Sequence, residues 1–225
     1  MVKILLGASV GRSGTTQMSM HCQKAGAAVT HERCNPYSPH WNGELRDKFT
    51  LFSKPKQVKE KFVDKLLENI TRESAGSSIV GDISHTHSQY MDEALKNPNV
   101  ILLAQTRQPE SYATSCISFG RASRAETILL RSRGITAKTG SRKERLMAYQ
   151  THFQKEVSKL QRHYGKKRVI IQPLEDLSKK GPEILKSIGL KVKWDAQLGK
   201  NASSDSTRYQ DRAAMKAMRA TRAKK

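Results

Sequence analysis

Val2-Lys3-Ile4-Leu5-Leu6-Gly7 runs straight into Ala8-Ser9-Val10-Gly11-Arg12-Ser13-Gly14-Thr15-Thr16, and this junction decides how the chain is read. The apolar run predicts a buried strand, and the glycine- and hydroxyl-rich run predicts a turn that opens a helix. Glycines let a backbone approach an anion closely. The N–H groups at the start of a helix point at that anion with the positive end of the macrodipole behind them. Arg12 adds a full charge, and Ser13, Thr15 and Thr16 add hydroxyl donors.

The triphosphate-binding pattern Gly-x-x-x-x-Gly-Lys-Ser/Thr is not met, because three residues separate Gly7 from Gly11 and Arg12 stands where the lysine belongs. The chain has 225 residues, enough for one α/β domain with a core and short for two. No apolar run approaches the ~18 residues of a membrane span, and no signal-peptide pattern follows the first strand, so a cytoplasmic location is expected. Three cysteines, Cys22, Cys34 and Cys116, lack metal-type spacing and suggest neither a disulfide framework nor a zinc site. The formal charge is +21, of which the tail from Arg208 to Lys225 carries +6 and the remainder +15. Distributed basicity favours anionic ligands and does not by itself separate a polyanionic nucleotide from nucleic acid.

The rest of the chain alternates strand and helix. A first helix is expected over 14–24 with Gly26 as its left-handed cap, then a strand over 27–30 that delivers His31, Glu32 and Arg33 to the carboxyl edge of a sheet. Residues 34–55 read as a long loop in which Tyr37, His40, Trp41 and Phe49 are candidate pocket walls. The stripe Val58, Phe62, Val63, Leu66, Leu67, Ile70 predicts a helix over 57–73. A strand over 78–82 leads to Ile83-Ser84-His85-Thr86-His87 and a short helix over 89–96. Val100 to Ala104 is the near-continuous apolar run of a central parallel strand. It ends in Gln105-Thr106-Arg107-Gln108-Pro109, and a helix through Ser115 follows. Arg107 at a strand tip and Ser115 two helical turns on are placed to hold one anion. Residues 122–139 read as basic and partly helical, with Arg121, Arg124, Arg131 and Arg133 facing solvent or an acidic acceptor. Ser141 to Glu144 has capping-box spacing ahead of a long helix that ends at Gly165. A strand over 168–172, the run Glu175-Asp176-Leu177 and a helix closing near Gly189 complete the domain. It is placed at 1–204, with 205–225 a basic C-terminal helix or tail. Lys200 lies in the polar loop 199–204, which is placed to close over a cofactor.

Three of these stretches, in this order, resemble the sulfotransferase family. Arg12-Ser13-Gly14-Thr15-Thr16 is similar to its 5′-phosphosulfate loop, in the arginine form of the Golgi protein-tyrosine branch and of many bacterial members; the cytosolic branch has lysine at position 12. Arg107-x-Pro109 with Ser115 resembles the segment that binds the 3′-phosphate, and strand, Glu175-Asp176-Leu177, helix resembles a third landmark. The cytosolic Arg-Lys-Gly segment is absent, and the tryptophan that follows the loop threonines there is Gln17 here. The resemblance implies a single α/β domain with a central, mainly parallel sheet flanked by helices, a P-loop-like fold. It implies an enzyme that moves a sulfuryl group from 3′-phosphoadenosine 5′-phosphosulfate (PAPS) to a hydroxyl or amine acceptor, with no metal. The donor site would comprise Gly11, Arg12, Ser13, Gly14, Thr15, Thr16, Arg107, Ser115 and Lys200.

In-line sulfuryl transfer asks for neutralisation of the leaving oxygen, for which Arg12 is the candidate, and for a base. Two residues offer one. Glu32, 20 residues after Arg12, resembles the glutamate of the protein-tyrosine branch, and His85, 22 residues before Arg107, resembles the histidine of the cytosolic branch. Glu32 ranks first because the arginine-type loop belongs to the same branch. On this resemblance the acceptor would be a small-molecule, glycan, lipid or peptide hydroxyl, with acidic ones suited to the charge. A P-loop kinase, with Asp82 as its Mg²⁺ ligand, and a basic nucleic-acid-binding protein are the alternatives. Neither accounts for all three stretches.

Overall fold

The computed structural model describes residues 2–11, 13–32, 55–72, 76–118, 126–127, 130–131, 133–191, 194–195 and 198. The apolar opening forms β1 (Lys3–Ala8), in which every residue after Lys3 is buried. A strand buried on both faces must lie inside a sheet covered by helices on each side. It does: β1 pairs in parallel with β3 (Ile79–Ser84) and with β4 (Val100–Thr106). Outside them lie β2 (Ala28–His31), parallel to β3, and β5 (Val169–Pro173), parallel to β4. The order is β2-β3-β1-β4-β5, so the expected parallel sheet is found with five strands.

The helices divide between the two faces by which strand residues they cover. Ile4, Leu6, Val80, Leu102 and Val169 pack against α2 (Lys56–Arg72), α3 (Met91–Leu95), α4 (Pro109–Ser118) and α5 (Arg142–Tyr164). Leu5, Val29, Ile79, Ile83 and Leu103 pack against α1 (Thr15–Lys24) and α6 (Leu177–Ile188). The alternation of even and odd residues along β1 is the period-two geometry of a strand. Burying each such Leu or Ile side chain contributes about 1.5–3 kcal/mol, which explains why α2 forms despite three lysines in its first two turns.

Local signals act as expected. Gly26 takes φ 82° just after α1, and the capping box at Ser141 and Glu144 is formed on both sides. Two expectations change. β3 runs on to Ser84, two residues past the expected end, because Ile83 and Ser84 still pair with Gly7 and Ala8. His85–Gln89 then forms a 3-10 turn opened by the Ser84 side chain, which accepts from Thr86 N, so the helix expected from residue 89 is the shorter α3. Of residues 122–139, the described ones include a 3-10 turn at Ala137–Thr139. Cys22 is buried with its thiol pushed up to about 12 by burial, Cys116 is half-buried, and Cys34 lies outside the described residues. Among the described residues no helix is long and apolar enough to cross a membrane.

His21, on the buried face of α1, stacks on Trp194 with ring centroids 3.7 Å apart and an interplanar angle of 11°. Burial pulls this imidazole below its ordinary value, against the Asp195 backbone and carboxylate, which raise it; Lys24 lowers it further. A base whose folded-state value is lowered is neutral when folded, so the unfolded chain binds more protons. Its contribution is complete above about pH 6.5 and is lost as pH falls toward the folded-state value. We therefore expect the melting temperature to drop more steeply from pH 7 to pH 5 in the wild type than in His21→Phe, which keeps the stack and removes the titration. Equal pH slopes would show that this ring is not the sensitive group.

Candidate active site

All five strands are parallel, so their carboxyl ends share one edge, where ligands of open α/β sheets collect. At the end of β1 the chain must turn sharply into α1. Gly11 and Gly14 take φ 90° and 80°, left-handed values that cost other residues roughly 1–2 kcal/mol. The turn is held from behind. His87 Nδ1 donates to Gly7 O at 3.0 Å, Tyr112 Oη to Val10 O at 3.1 Å, Ser13 Oγ to Gly11 O at 2.9 Å and Gln105 Nε2 to Ser13 O at 3.4 Å. The Ser13 hydroxyl, expected as a donor to the anion, is buried and spent on Gly11 O, so with its carbonyls tied back the turn has N–H groups to offer.

α1 has no side-chain cap and no acidic residue in its first turn, and its first i→i−4 bond runs from Met18 N to Gly14 O. The N–H groups of Thr15 and Thr16, in the first turn, lie ahead of that first bond, as an anion site requires. A Cβ on Gly14 would meet Leu174 Cδ1 at 2.7 Å and Leu177 Cδ2 at 3.2 Å. Gly14→Ala adds this crowding to the left-handed cost of about 1–2 kcal/mol, so thermal denaturation should show a fall of roughly 2–8 °C. A melting temperature equal to wild type would mean that the turn can be remade without the glycine.

Beside this loop, β2 and β3 lie in register His31↔Ile83, which sets the next residues of both strands side by side. Glu32 N donates to Ile83 O at 3.1 Å, and Glu32 takes φ 55°, the one left-handed non-glycine among the described residues. Such outliers persist where the surroundings enforce them. Here the turn brings the carboxylate against His85: Nδ1 donates to Glu32 Oε1 at 2.7 Å. Burial raises the Glu32 pKa, and the hydrogen bond and charge of His85, with smaller contributions from His31 and His87, overcome it and hold the carboxyl at about 2. Glu32 is ionised at neutral pH, and its carboxylate holds the His85 ring through this hydrogen bond.

Asp82 is wholly buried beneath this edge. Its Oδ1 accepts from Thr30 Oγ1 at 2.6 Å, and its Oδ2 lies 3.2 Å from His87 Nε2. A carboxylate so enclosed braces the turn and is not presented to a ligand.

At the tip of β4, Arg107 Nε donates to Ser111 Oγ at 2.9 Å, and its carbonyl accepts from Gln154 Nε2 at 3.0 Å. Ser115 lies one turn beyond Ser111 on the same face of α4. Glu175, from the turn after β5, accepts from Gln108 N at 2.9 Å and ties the two strand tips together.

No protein-family model matches the sequence, and no curated protein matches it. Among solved structures the chain is similar to a sulfotransferase from Alicyclobacillus acidocaldarius, with a TM-score of 0.52 at 12% identity, over 95% of this chain and 91% of that one. The fold is that of the sulfotransferases. The sulfotransferase domain from the curacin biosynthetic pathway is similar at a TM-score of 0.50 and 15% identity, over 92% of this chain and 80% of that one.

Within this sulfotransferase fold, Gly11, Ser13, Gly14, Thr15 and Thr16 share the loop and helix start at β1, and Glu32 and His85 meet beside it. Arg107 and Ser115 lie beyond β4, on the same edge. Arg12, Lys200, Arg33, Tyr37, His40, Trp41, Phe49, Arg121 and Arg124 lie outside the described residues. Arg131 is exposed, whereas Arg133 turns inward, donating to Glu156 at 2.8 Å and stacking on Tyr149. Sequence reasoning missed Ser111 and the Tyr112 and Gln105 props. A pairing rule of four residues, applied to Arg107, would have found the first.

Proposed function

We propose that this protein is a PAPS-dependent sulfotransferase acting on a hydroxyl acceptor. The observation that carries the reading is the meeting of Glu32 and His85 at 2.7 Å beside an uncapped helix start that suits an anion. The residues suit the donor: Ser13 and Gly14 supply N–H groups and Thr15 and Thr16 supply N–H and hydroxyl groups for a phosphosulfate, and Arg107, with Ser111 and Ser115 along α4, supplies charge-assisted bonds for a 3′-phosphate.

PAPS, when bound, supplies the sulfuryl group and a leaving nucleotide. The Glu32 carboxylate keeps His85 protonated at Nδ1, so that Nε2 carries a lone pair for the acceptor proton, the logic of the catalytic triads. His85 Nε2 takes the proton as the acceptor oxygen bonds to sulfur. The bond from sulfur to the 5′-phosphate oxygen breaks, its electron pair stays on that oxygen, and Arg12 neutralises the charge that develops there. Glu32 and His85 thus act as one unit, with His85 as base and Glu32 as the residue that orients it.

A kinase reading loses its metal ligand, since Asp82 is buried and engaged by Thr30 and His87. Calorimetric titration separates the classes. 3′-Phosphoadenosine 5′-phosphate (PAP) should bind at least tenfold more tightly than AMP, because charge-assisted bonds are worth ~1.5–3 kcal/mol each. Arg107→Ala should erase most of the difference. Equal affinity for PAP and AMP, or tighter binding of ATP or of a DNA oligomer, would remove the reading.

A further inference from the structure

His31, the last residue of β2, is half-buried between the donor loop and Glu32. One ring nitrogen meets two hydroxyls: Nε2 lies 3.0 Å from Thr15 Oγ1 and 3.4 Å from Thr16 Oγ1. The two arrangements open to it are chemically different. As an acceptor, Nε2 has a single lone pair and would draw in the Thr15 proton, turning that O–H away from any anion at the helix start. As a donor, a single N–H can be shared between two oxygens. Each threonine then accepts from the ring and keeps its own O–H to donate onward. The second arrangement satisfies both contacts and leaves two hydroxyl donors for an anion, in a chain in which each bond polarises the next.

We propose that His31 is a positioning residue that donates from Nε2 to Thr15 and Thr16, aims both hydroxyls at the donor's 5′-phosphosulfate, and joins that loop to the strand tip that carries Glu32. This rests on the sulfotransferase reading for the identity of the anion. The contact to the threonines does not depend on it. Because Glu32 is the next residue and its carboxylate fixes His85, donor loop and acceptor base share one strand end.

The test is calorimetric binding of PAP and, separately, of inorganic pyrophosphate to the wild type, His31→Leu, His31→Gln, Thr15→Ala/Thr16→Ala and the combination of His31→Leu with both alanines. His31→Leu should weaken PAP about 5- to 10-fold, the net worth of one hydrogen bond. His31→Gln, which offers an amide N–H at a similar reach, should recover most of the loss. In the double-alanine background His31→Leu should have no further effect. Nitrogen-15 NMR of the wild-type protein with PAP should find the His31 proton on Nε2. Unchanged affinity in His31→Leu, a full loss persisting without the two threonines, or a bare Nε2 in the complex would each overturn the proposal. Should His31→Leu fail to fold, the wild-type NMR experiment decides alone. A protein that binds pyrophosphate and not PAP would sink the sulfotransferase reading, and the same cycle on pyrophosphate would still judge His31. Binding of neither anion would overturn both.

Discussion

His85→Asn is expected to lower turnover by roughly 10²–10⁴ while PAP affinity stays near wild type, since it removes the lone pair that takes the acceptor proton and leaves the donor loop intact. Glu32→Gln should do comparable damage by a different route. The amide keeps the carboxylate's shape and presents either a carbonyl or an NH₂ to His85 Nδ1. When the NH₂ faces the ring, the proton moves to Nε2 and the base is lost, the effect that costs about 10⁴ in a serine protease triad. Because the two residues work as one unit, the double variant should fall little further than either single one. Single-turnover rates on the four proteins check this. Independent, multiplying losses would mean that the 2.7 Å hydrogen bond does not matter to the chemistry. A silent His85→Asn beside a crippled Glu32→Gln would return the role of base to Glu32.

Arg12→Ala should reduce kcat about a hundredfold, or ~3 kcal/mol of transition-state stabilisation, and weaken PAP much less. The charge on the bridging oxygen is small in the bound donor and grows as its bond to sulfur breaks, so a cation placed there acts mainly on the transition state. Arg12→Lys keeps the charge and should restore most of the rate. A variant with an unchanged kcat and a raised Kd for PAP would assign Arg12 to binding alone.

The fold was legible where one physical constraint dominated. Val100 to Ala104 could only be a strand covered on both faces, and Val2 to Gly14 carried strand, turn and helix start in an apolar run followed by glycines and hydroxyls. β3 was read two residues short because Ser84 looks like a loop residue; pairing with Ala8 and the Ser84–Thr86 contact at 2.9 Å hold it in place. The site was legible as residues and not as contacts. Glu32 and His85 read as competing bases because sequence cannot say that β2 and β3 are neighbours in register. Once they are, the left-handed turn at Glu32 makes them partners. Likewise Asp82 at a strand end reads as a metal ligand until its burial against His87 is seen. His31 was legible as a residue of the sheet's carboxyl edge and not as the partner of Thr15 and Thr16, which belong to another element. Ser111 is not marked by any motif, and its place in the site shows only in the bond it accepts from Arg107 Nε.

The most direct test of sulfuryl transfer is to incubate the protein with ³⁵S-labelled PAPS and a panel of alcohol, phenol and sugar acceptors, with and without a chelator. A sulfuryl group carries less charge than a phosphoryl group and can move without a bridging Mg²⁺. The account predicts label on at least one acceptor class, PAP formed in equal amount, an unchanged rate in the chelator and transfer slowed by roughly 10²–10⁴ in His85→Asn. No label on any acceptor, together with Mg²⁺-dependent phosphoryl transfer from ATP, would contradict it.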